Sequence, residues 1–447
     1  MPSKASLKKI RPIQLIAVIF FTVSGGPYGL EPLLSYAGNH AALLILLATP
    51  MLWDIPAMFT VLELNSMMPV TGGYYKWVKY ALGTRWGFYE GWWTWLYTFV
   101  DLAIYPVLFV MYASYFFPEL QNYQVPVCLV IIWASAGLNI LGIVPVGKVS
   151  LFLSAAVLAP VIILVVLAVY HHGGMSIPSP SLKGITFPSF GMALYTVMWN
   201  CLGWDNVTTY AEEVENPVRS YRSSIFIAFI LVIVIYFLVI TVAQQSGINH
   251  DKLSNDGLPA LGELIAGHWL GVVIAAGGMA SSLGIYAAVL LSVSRVPQVM
   301  AEDKLLPDTL NRLHPKFRTP YISILLCSLI VSMMILWSLG ELLIIDVTVY
   351  GAGLSLEYIS LIKLRIKEPD RYRPFKIPFG IMGLCIALII PASVYFIALG
   401  GAFSSQDKGP IAAVFAICAL LSAEVAWRRF RFTKKVIAWL MGEKWTK

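Results

Sequence analysis

The hydrophobic residues of this chain fall in long continuous runs separated by short polar stretches, without the strict alternation of a half-buried strand or a transmembrane barrel. A membrane-crossing helix needs about 20 mostly apolar residues. By that measure the pattern predicts spans over 13–37, 41–67, 87–117, 125–143, 149–170, 188–212, 223–245, 268–298, 320–338, 342–362, 377–400 and 410–427. No polar stretch is long enough for a second domain, so residues 1–447 are expected to form one membrane domain. The predicted fold class is an all-α polytopic membrane protein of about 12 transmembrane helices.

Composition sharpens this picture. Of the 447 residues 58% are hydrophobic and 12% charged, about half the ~25% charged residues of soluble domains. That excludes an ordinary cytosolic enzyme, a disordered tail and a secreted disulfide scaffold. The five cysteines are scattered, without CxxC spacing, and suggest neither a disulfide framework nor a zinc site. The formal net charge of +7 would raise a nucleic-acid partner in a soluble protein; here location explains it better. With the N-terminus inside, 28 of the 31 Lys and Arg fall on the cytoplasmic side, and only Lys183, Lys252 and Lys408 on the other. One misplaced span would flip every later loop, so the segregation predicts an even number of spans and both termini in the cytoplasm of a plasma or inner membrane. The basic, apolar N-terminal segment has some features of a signal peptide, but it lacks a small-x-small cleavage site before a polar mature domain. It is read as the first span.

Two spans are interrupted. Span 1 contains Ser24-Gly25-Gly26-Pro27-Tyr28-Gly29, and span 6 contains Asn200-Cys201-Leu202-Gly203-Trp204-Asp205. Unwound backbone at membrane depth is tolerated only where protein or a watery cavity satisfies its N–H and C=O groups. Transporters use such breaks as ligand sites, and a separation of five spans suits a five-plus-five inverted repeat. That repeat would run over 10–170 and 186–366, with two additional helices over 377–430. The competing reading is a pair of glycine kinks that aid packing.

Charge supplies the chemistry. Asp54, Asp101, Asp205, Asp346 and Glu357 lie within predicted spans and Glu31 follows the first break, whereas no Lys or Arg falls in the middle of a span. Glu63, Glu90, Glu212 and Glu213 lie nearer span ends. Buried carboxylates without basic partners must be neutral, face water or await a mobile cation. That favours a cationic substrate, proton coupling or both, against the alternative of structural, hydrogen-bonded carboxyls. Asp101 is the sharpest candidate, because Tyr97, Asp101 and Tyr105 share one helical face. A carboxylate flanked by aromatic rings suits an ammonium group, although aromatics at this spacing are more often packing, and packing is the expectation for Tyr97 and Tyr105. Trp199 and Trp204 flank the second break, where they could gate or stack on a ligand; lipid-interface anchoring is the alternative.

Other motifs carry less. Gly142 to Lys148 spells the start of a phosphate-binding loop, but Val149 replaces the magnesium-binding hydroxyl and no strand precedes it. Asn206-Val207-Thr208 fits a glycosylation pattern inside a span, where it is inert. His171 and His172 fall in a predicted external loop. No cofactor or metal site is expected.

These residues resemble the amino acid–polyamine–organocation superfamily of secondary transporters. The break at 24–29 is similar to that family's substrate loop in span 1. Glu63 and the run Met68-Pro69-Val70-Thr71-Gly72-Gly73-Tyr74 resemble its end of span 2. Trp199 through Asp205, continuing to Glu212-Glu213-Val214-Glu215-Asn216-Pro217, resembles its span 6 signature, and Arg295 through Pro307 its end of span 8. Details look closest to plant-type polyamine uptake permeases and their bacterial relatives. These are Val23 to Glu31, Gly91-Trp92 through Asp101 to Phe109, and Leu356-Glu357-Tyr358 followed by Leu364-Arg365, Pro369 and Arg373-Pro374-Phe375.

The resemblance implies a proton-coupled carrier in a lipid bilayer, with a site between spans 1, 3, 6, 8 and 10. Asp101, Asp205 and Glu357 are then candidate amine ligands or proton carriers, and Tyr350 on span 10 joins the candidate set. One departure concerns coupling. Many members place in span 5 a Lys that mimics a sodium ion; here that position is Val157. Ser281 and Ser282 offer hydroxyls resembling a sodium site of distant relatives, or simply a small-residue helix interface.

The expected function is import of polyamines or related organic cations by alternating access. The alternatives are a neutral or cationic amino acid permease, with an α-carboxylate at the amide ends of 24–27, and a nutrient sensor that binds without transport. A membrane enzyme is disfavoured by the absence of a nucleophile–base pair.

Overall fold

The computed structural model describes residues 9–336, 339–404 and 409–440. Lys4, Lys8, Lys408, Lys444, Lys447 and the last two residues of predicted span 9 lie outside them.

The first predicted span divides as its glycines dictate. Helix α1 (Pro12–Val23) opens with a proline at its first turn, where no N–H is needed. It ends where Gly25, Gly26 and Gly29 take φ of +67°, +109° and +101°, a region that L side chains avoid. Helix α2 (Pro32–Thr49) restarts on Pro32 and is kinked at Gly38, φ +65°. A π-helical turn (Pro50–Asp54) then leads into α3 (Ile55–Met67). Pro50 and Pro56 lack the N–H groups that would continue the regular ladder, so one loosened turn absorbs both.

A short α4 (Gly73–Leu82) precedes α5 (Thr84–Ala113), followed by α6 (Gln124–Ile140) and α7 (Ile143–His172). Helix α7 carries His171 and His172 at its C-terminal end, where the sequence suggested a loop, because the apolar run continues to Tyr170. Helix α8 (Phe187–Trp199) stops at the second break. Predicted span 6 does not resume as an α-helix. It continues as two 3-10 turns, Asn206–Thr209 and Ala211–Glu213. The hydroxyls of Thr208 and Thr209 donate to the carbonyls of Asp205 and Asn206, at 2.6 and 2.9 Å, and so hold the tighter turn.

Then follow α9 (Pro217–Ser246), α10 (His250–Asp256), α11 (Leu258–Ala266), α12 (His268–Val293), α13 (Arg295–Glu302), α14 (Tyr321–Met334), α15 (Leu339–Lys367), α16 (Ile381–Phe403) and α17 (Gly409–Leu440). Among the described residues nine helical segments are long and apolar enough to cross a membrane. The other three predicted spans, 1, 6 and 9, correspond to the shorter helices α1, α8 and α14.

Burial separates centre from periphery. In their most apolar stretches α5 and α12 are 72% buried and α15 83%, whereas α16 is 28% and α17 17% buried. Helix α12 packs on α5, α7 and α1, and α15 packs on α5. The two interrupted helices sit among these inner elements. Ile386, Ile389, Val414 and Val425 on α16 and α17 are exposed, as suits lipid-facing positions.

Candidate functional site

The first break is shaped by close approach. A Cβ on Gly25 would stand 2.3 Å from Cγ1 of Ile285, one on Gly26 2.8 Å from Cγ1 of Val157, and one on Gly29 2.7 Å from Cζ3 of Trp199. Only glycine fits both these spaces and these dihedrals. The freed backbone groups find partners nearby. Ser281 Oγ donates to the Gly25 carbonyl at 2.7 Å, and the Gly26 N–H donates to Ser24 Oγ at 3.0 Å. Glu31 takes the Gly29 N–H at 2.5 Å and the Tyr112 hydroxyl at 3.0 Å, so this acid caps the break. The Leu30 N–H donates to the Pro27 carbonyl at 3.4 Å.

The second break is tied to the first. Asn200 Nδ2 donates to the Gly29 carbonyl at 3.0 Å. The Tyr236 hydroxyl, from the middle of α9, lies 2.6 Å from Ser24 Oγ and 2.6 Å from the Asn200 carbonyl oxygen. Tyr236 was not singled out in the sequence; its signal is one hydroxyl within the apolar run 231–240. Farther along, the Gly203 N–H donates to the Tyr350 hydroxyl oxygen at 3.2 Å, and that hydroxyl donates to Asp205 Oδ1 at 2.9 Å.

Between the breaks lies a nearly closed cavity of about 10 Å³, lined by Ser24, Tyr28, Tyr105, Trp199, Asn200 and Ser281 together with apolar side chains such as Leu108 and Ile285. That is room for about one water. Asp101 stands one layer behind the wall. Its Oδ1 accepts from the Tyr105 hydroxyl at 2.5 Å and from Trp199 Nε1 at 3.2 Å. The Tyr105 and Trp199 rings are stacked, with centroids 6.3 Å apart. One carboxylate therefore holds two aromatic walls, and Tyr105 has a role besides packing. Tyr97 instead donates to Asn206 Oδ1 at 2.9 Å.

Of the predicted residues, Ser24, Tyr28, Trp199 and Asn200 reach the cavity; Gly25, Gly26, Pro27 and Gly29 build the break; and Asp101 backs the wall. Gly203, Asp205, Tyr350 and Glu357 belong to a second polar node. Two residues turn elsewhere. Trp204 donates through Nε1 to Asp54 Oδ1 at 3.2 Å with its ring against Phe229, and Cys201 is buried outside the cavity lining. Tyr28 donates to the Ile274 carbonyl at 3.1 Å and meets Tyr112 edge-on at 5.3 Å. Beyond Tyr112 opens a second cavity of about 310 Å³, bounded by Tyr115, Asp256 and Glu263.

Toward the opposite end, ion pairs close the structure. Glu63 is fully buried and receives Arg365 through two nitrogens, at 2.5 and 2.6 Å, with Arg373 at 3.3 Å. Arg295 meets Glu213 at 3.0 Å. Glu63 and Glu213 are thus structural partners of arginine. By contrast Asp54, Glu90, Asp101, Asp205, Asp346 and Glu357 are buried, and none forms an ion pair among the described residues.

The chain matches the amino acid permease family profile over residues 10–421. It is 33% identical to a polyamine transporter of Arabidopsis thaliana over 86% of this chain and 79% of that one. It is 31% identical to a polyamine transporter of Oryza sativa subsp. japonica over 87% and 73%, respectively. A serine/threonine exchanger of Bacillus subtilis is 23% identical over 83% and 86%.

Proposed function

This chain belongs to the amino acid permease family and is a membrane transporter, and on that footing we propose that it imports polyamines or related organic cations by alternating access, with the proton as coupling ion. One observation carries this reading. Seven buried carboxyl groups, those of Glu31, Asp54, Glu90, Asp101, Asp205, Asp346 and Glu357, have no Lys or Arg ion-pair partner among the described residues. Isolated buried charge costs several kcal/mol, so the arrangement suits a site whose missing counter-charge arrives with the cargo or as a proton. The names of the plant relatives agree.

The cargo-binding wall is Ser24, Tyr28, Trp199 and Asn200, with Tyr105 and Trp199 presenting ring faces to an ammonium group and Asp101 supplying the charge behind them. In the occluded cavity Asp101 is held by those rings. Arrival of an amine draws the carboxylate forward and parts them. Val157 places a methyl group against Gly26, so this position supplies no cation, and the assignment of the proton rests on the buried carboxyl groups alone. On this reading both termini lie in the cytoplasm, which the segregation of Lys and Arg supports. The side of Tyr115 and Glu263 then faces outward, and Tyr28 against Tyr112 forms the outer barrier. Spans 1–5 and 6–10 are the two inverted repeats, with α16 and α17 as peripheral additions.

The test is counterflow of radiolabelled putrescine in liposomes, against a mixed amino acid pool. Saturable putrescine exchange is expected. Exchange of amino acids alone would establish the amino acid permease reading, which the Bacillus relative's name favours. Binding without flux would make the chain a sensor.

A further inference from the structure

Helices α5 and α15 face each other with acids at matching intervals. Glu90 precedes Asp101 by eleven residues, and Asp346 precedes Glu357 by eleven, about 16 Å along each helix. Glu357 is fully buried, and neither of its carboxyl oxygens has a hydrogen-bond partner; Glu90 is 1% exposed, and its Oε2 lacks one. One turn before Glu357, a Cβ on Gly353 would stand 3.2 Å from Oε1 of Glu90. The Glu90 carboxyl group therefore occupies the space of a missing side chain on α15. Asp205 faces Glu357 without a hydrogen bond of ordinary geometry, and its charge bears on Glu90 as well.

Among the described residues no Lys or Arg forms an ion pair with this cluster. The titratable groups turned toward this cluster are Tyr74 from α4, Tyr97 from α5, and Tyr350 and Tyr358 from α15; Asp54, from the π-helical turn, is held by Trp204 and bears on Tyr358. The nearest guanidinium groups along α15 and its following loop, Arg365 and Arg373, are committed to Glu63. Among the described residues no three acidic, His or Cys side chains converge as metal ligands. The cluster is also set apart from the cavity, whose lining includes none of its members. Three buried carboxyl groups without a cationic partner cannot all be ionised.

We propose that Glu90, Asp205 and Glu357 form the proton-binding site of the transport cycle, distinct from the amine-binding cavity backed by Asp101. The inference rests on the proton-coupled reading above. One proton converts the Glu357 carboxylate to a carboxyl group that donates toward Asp205. Asp205 is joined through the Tyr350 hydroxyl to the Gly203 N–H, so loading and unloading of the proton act directly on the second break.

The experiment compares two activities of the full chain in liposomes. Putrescine counterflow at equal pH reports binding and alternation, and accumulation under an inward proton gradient reports coupling. Glu357→Gln and Glu90→Gln are each expected to keep counterflow within about twofold of wild type and to lose gradient-driven accumulation by tenfold or more. Retained accumulation in both variants overturns the site. So does loss of counterflow in both, with thermal midpoints unchanged, because the cluster would then serve cargo binding. The wild-type chain supplies an independent readout: dicyclohexylcarbodiimide, which modifies protonated buried carboxyls, should label Glu357 or Glu90 in peptide mass spectra and abolish accumulation alone. Absence of label at both residues overturns the proposal. Absence of wild-type counterflow would sink the carrier reading itself, a failure distinct from any confined to the variants.

Discussion

Asp101 illustrates what a single residue does here. Its carboxylate is satisfied in the closed cavity by Tyr105 and Trp199, so Asp101→Asn keeps the shape and removes the charge. Hydrogen bonds to charged groups contribute about 1.5–3 kcal/mol. Apparent affinity for putrescine should therefore fall about tenfold or more, while the thermal midpoint moves little; unchanged affinity in an uptake titration would remove Asp101 from the site. Tyr236→Phe should act differently, because it leaves the Asn200 carbonyl without its hydroxyl donor. A destabilisation of about 1–3 kcal/mol is expected, read as a lower thermal midpoint with slower counterflow. The value of Asp101 was legible in the sequence, since an acid midway along an apolar span is too costly to keep without a task. The importance of Tyr236 was not, because a tyrosine among aliphatic residues reads as packing until its hydroxyl is seen to meet two oxygens.

At the scale of elements, the broken helices carry the design. Gly25→Ala combines a left-handed φ with a Cβ 2.3 Å from Ile285, and should abolish counterflow while the protein still reaches the membrane; wild-type exchange rates would show that the break can relax. The first break was legible from clustered glycine, proline and serine, the second from Gly203 between Asn200 and Asp205 inside an apolar run. The 3-10 path after Asp205 was not, because it depends on hydroxyls of Thr208 and Thr209 that equally suit an α-helix. Placing Glu90 also required the structure: α5 begins at Thr84, which carries Glu90 inside the helix rather than near its end.

A second pairing of elements joins α4 to the end of α13. Asp303 receives Lys79 at 2.7 Å, Tyr75 at 2.7 Å and Lys76 at 3.1 Å. Partial burial pushes its carboxyl up, but these donors outweigh that and hold it below its ordinary value. A depressed carboxylate stabilises the fold above its unfolded pKa of about 3.9, and that contribution is lost as pH falls through the folded value. Thermal midpoints measured across that acid range should drop for wild type more steeply than for Asp303→Asn.

For the whole molecule, the proposed orientation rests on the distribution of Lys and Arg, and the proposed cargo sign rests on the buried carboxyl groups. Reporters fused to either end should both face the cytoplasm, and a reporter after residue 183 should face outward; opposite sidedness of the two ends would break the topology. Collapsing the proton gradient should abolish accumulation, whereas replacing sodium should not. The hydroxyl of Tyr236 matters at this scale too. It touches both interrupted rods at once, like a rivet through two plates. On the proposed cycle, a passenger that grips either plate would shift the other with it, and a half-shut carrier would leave that rivet one oxygen short.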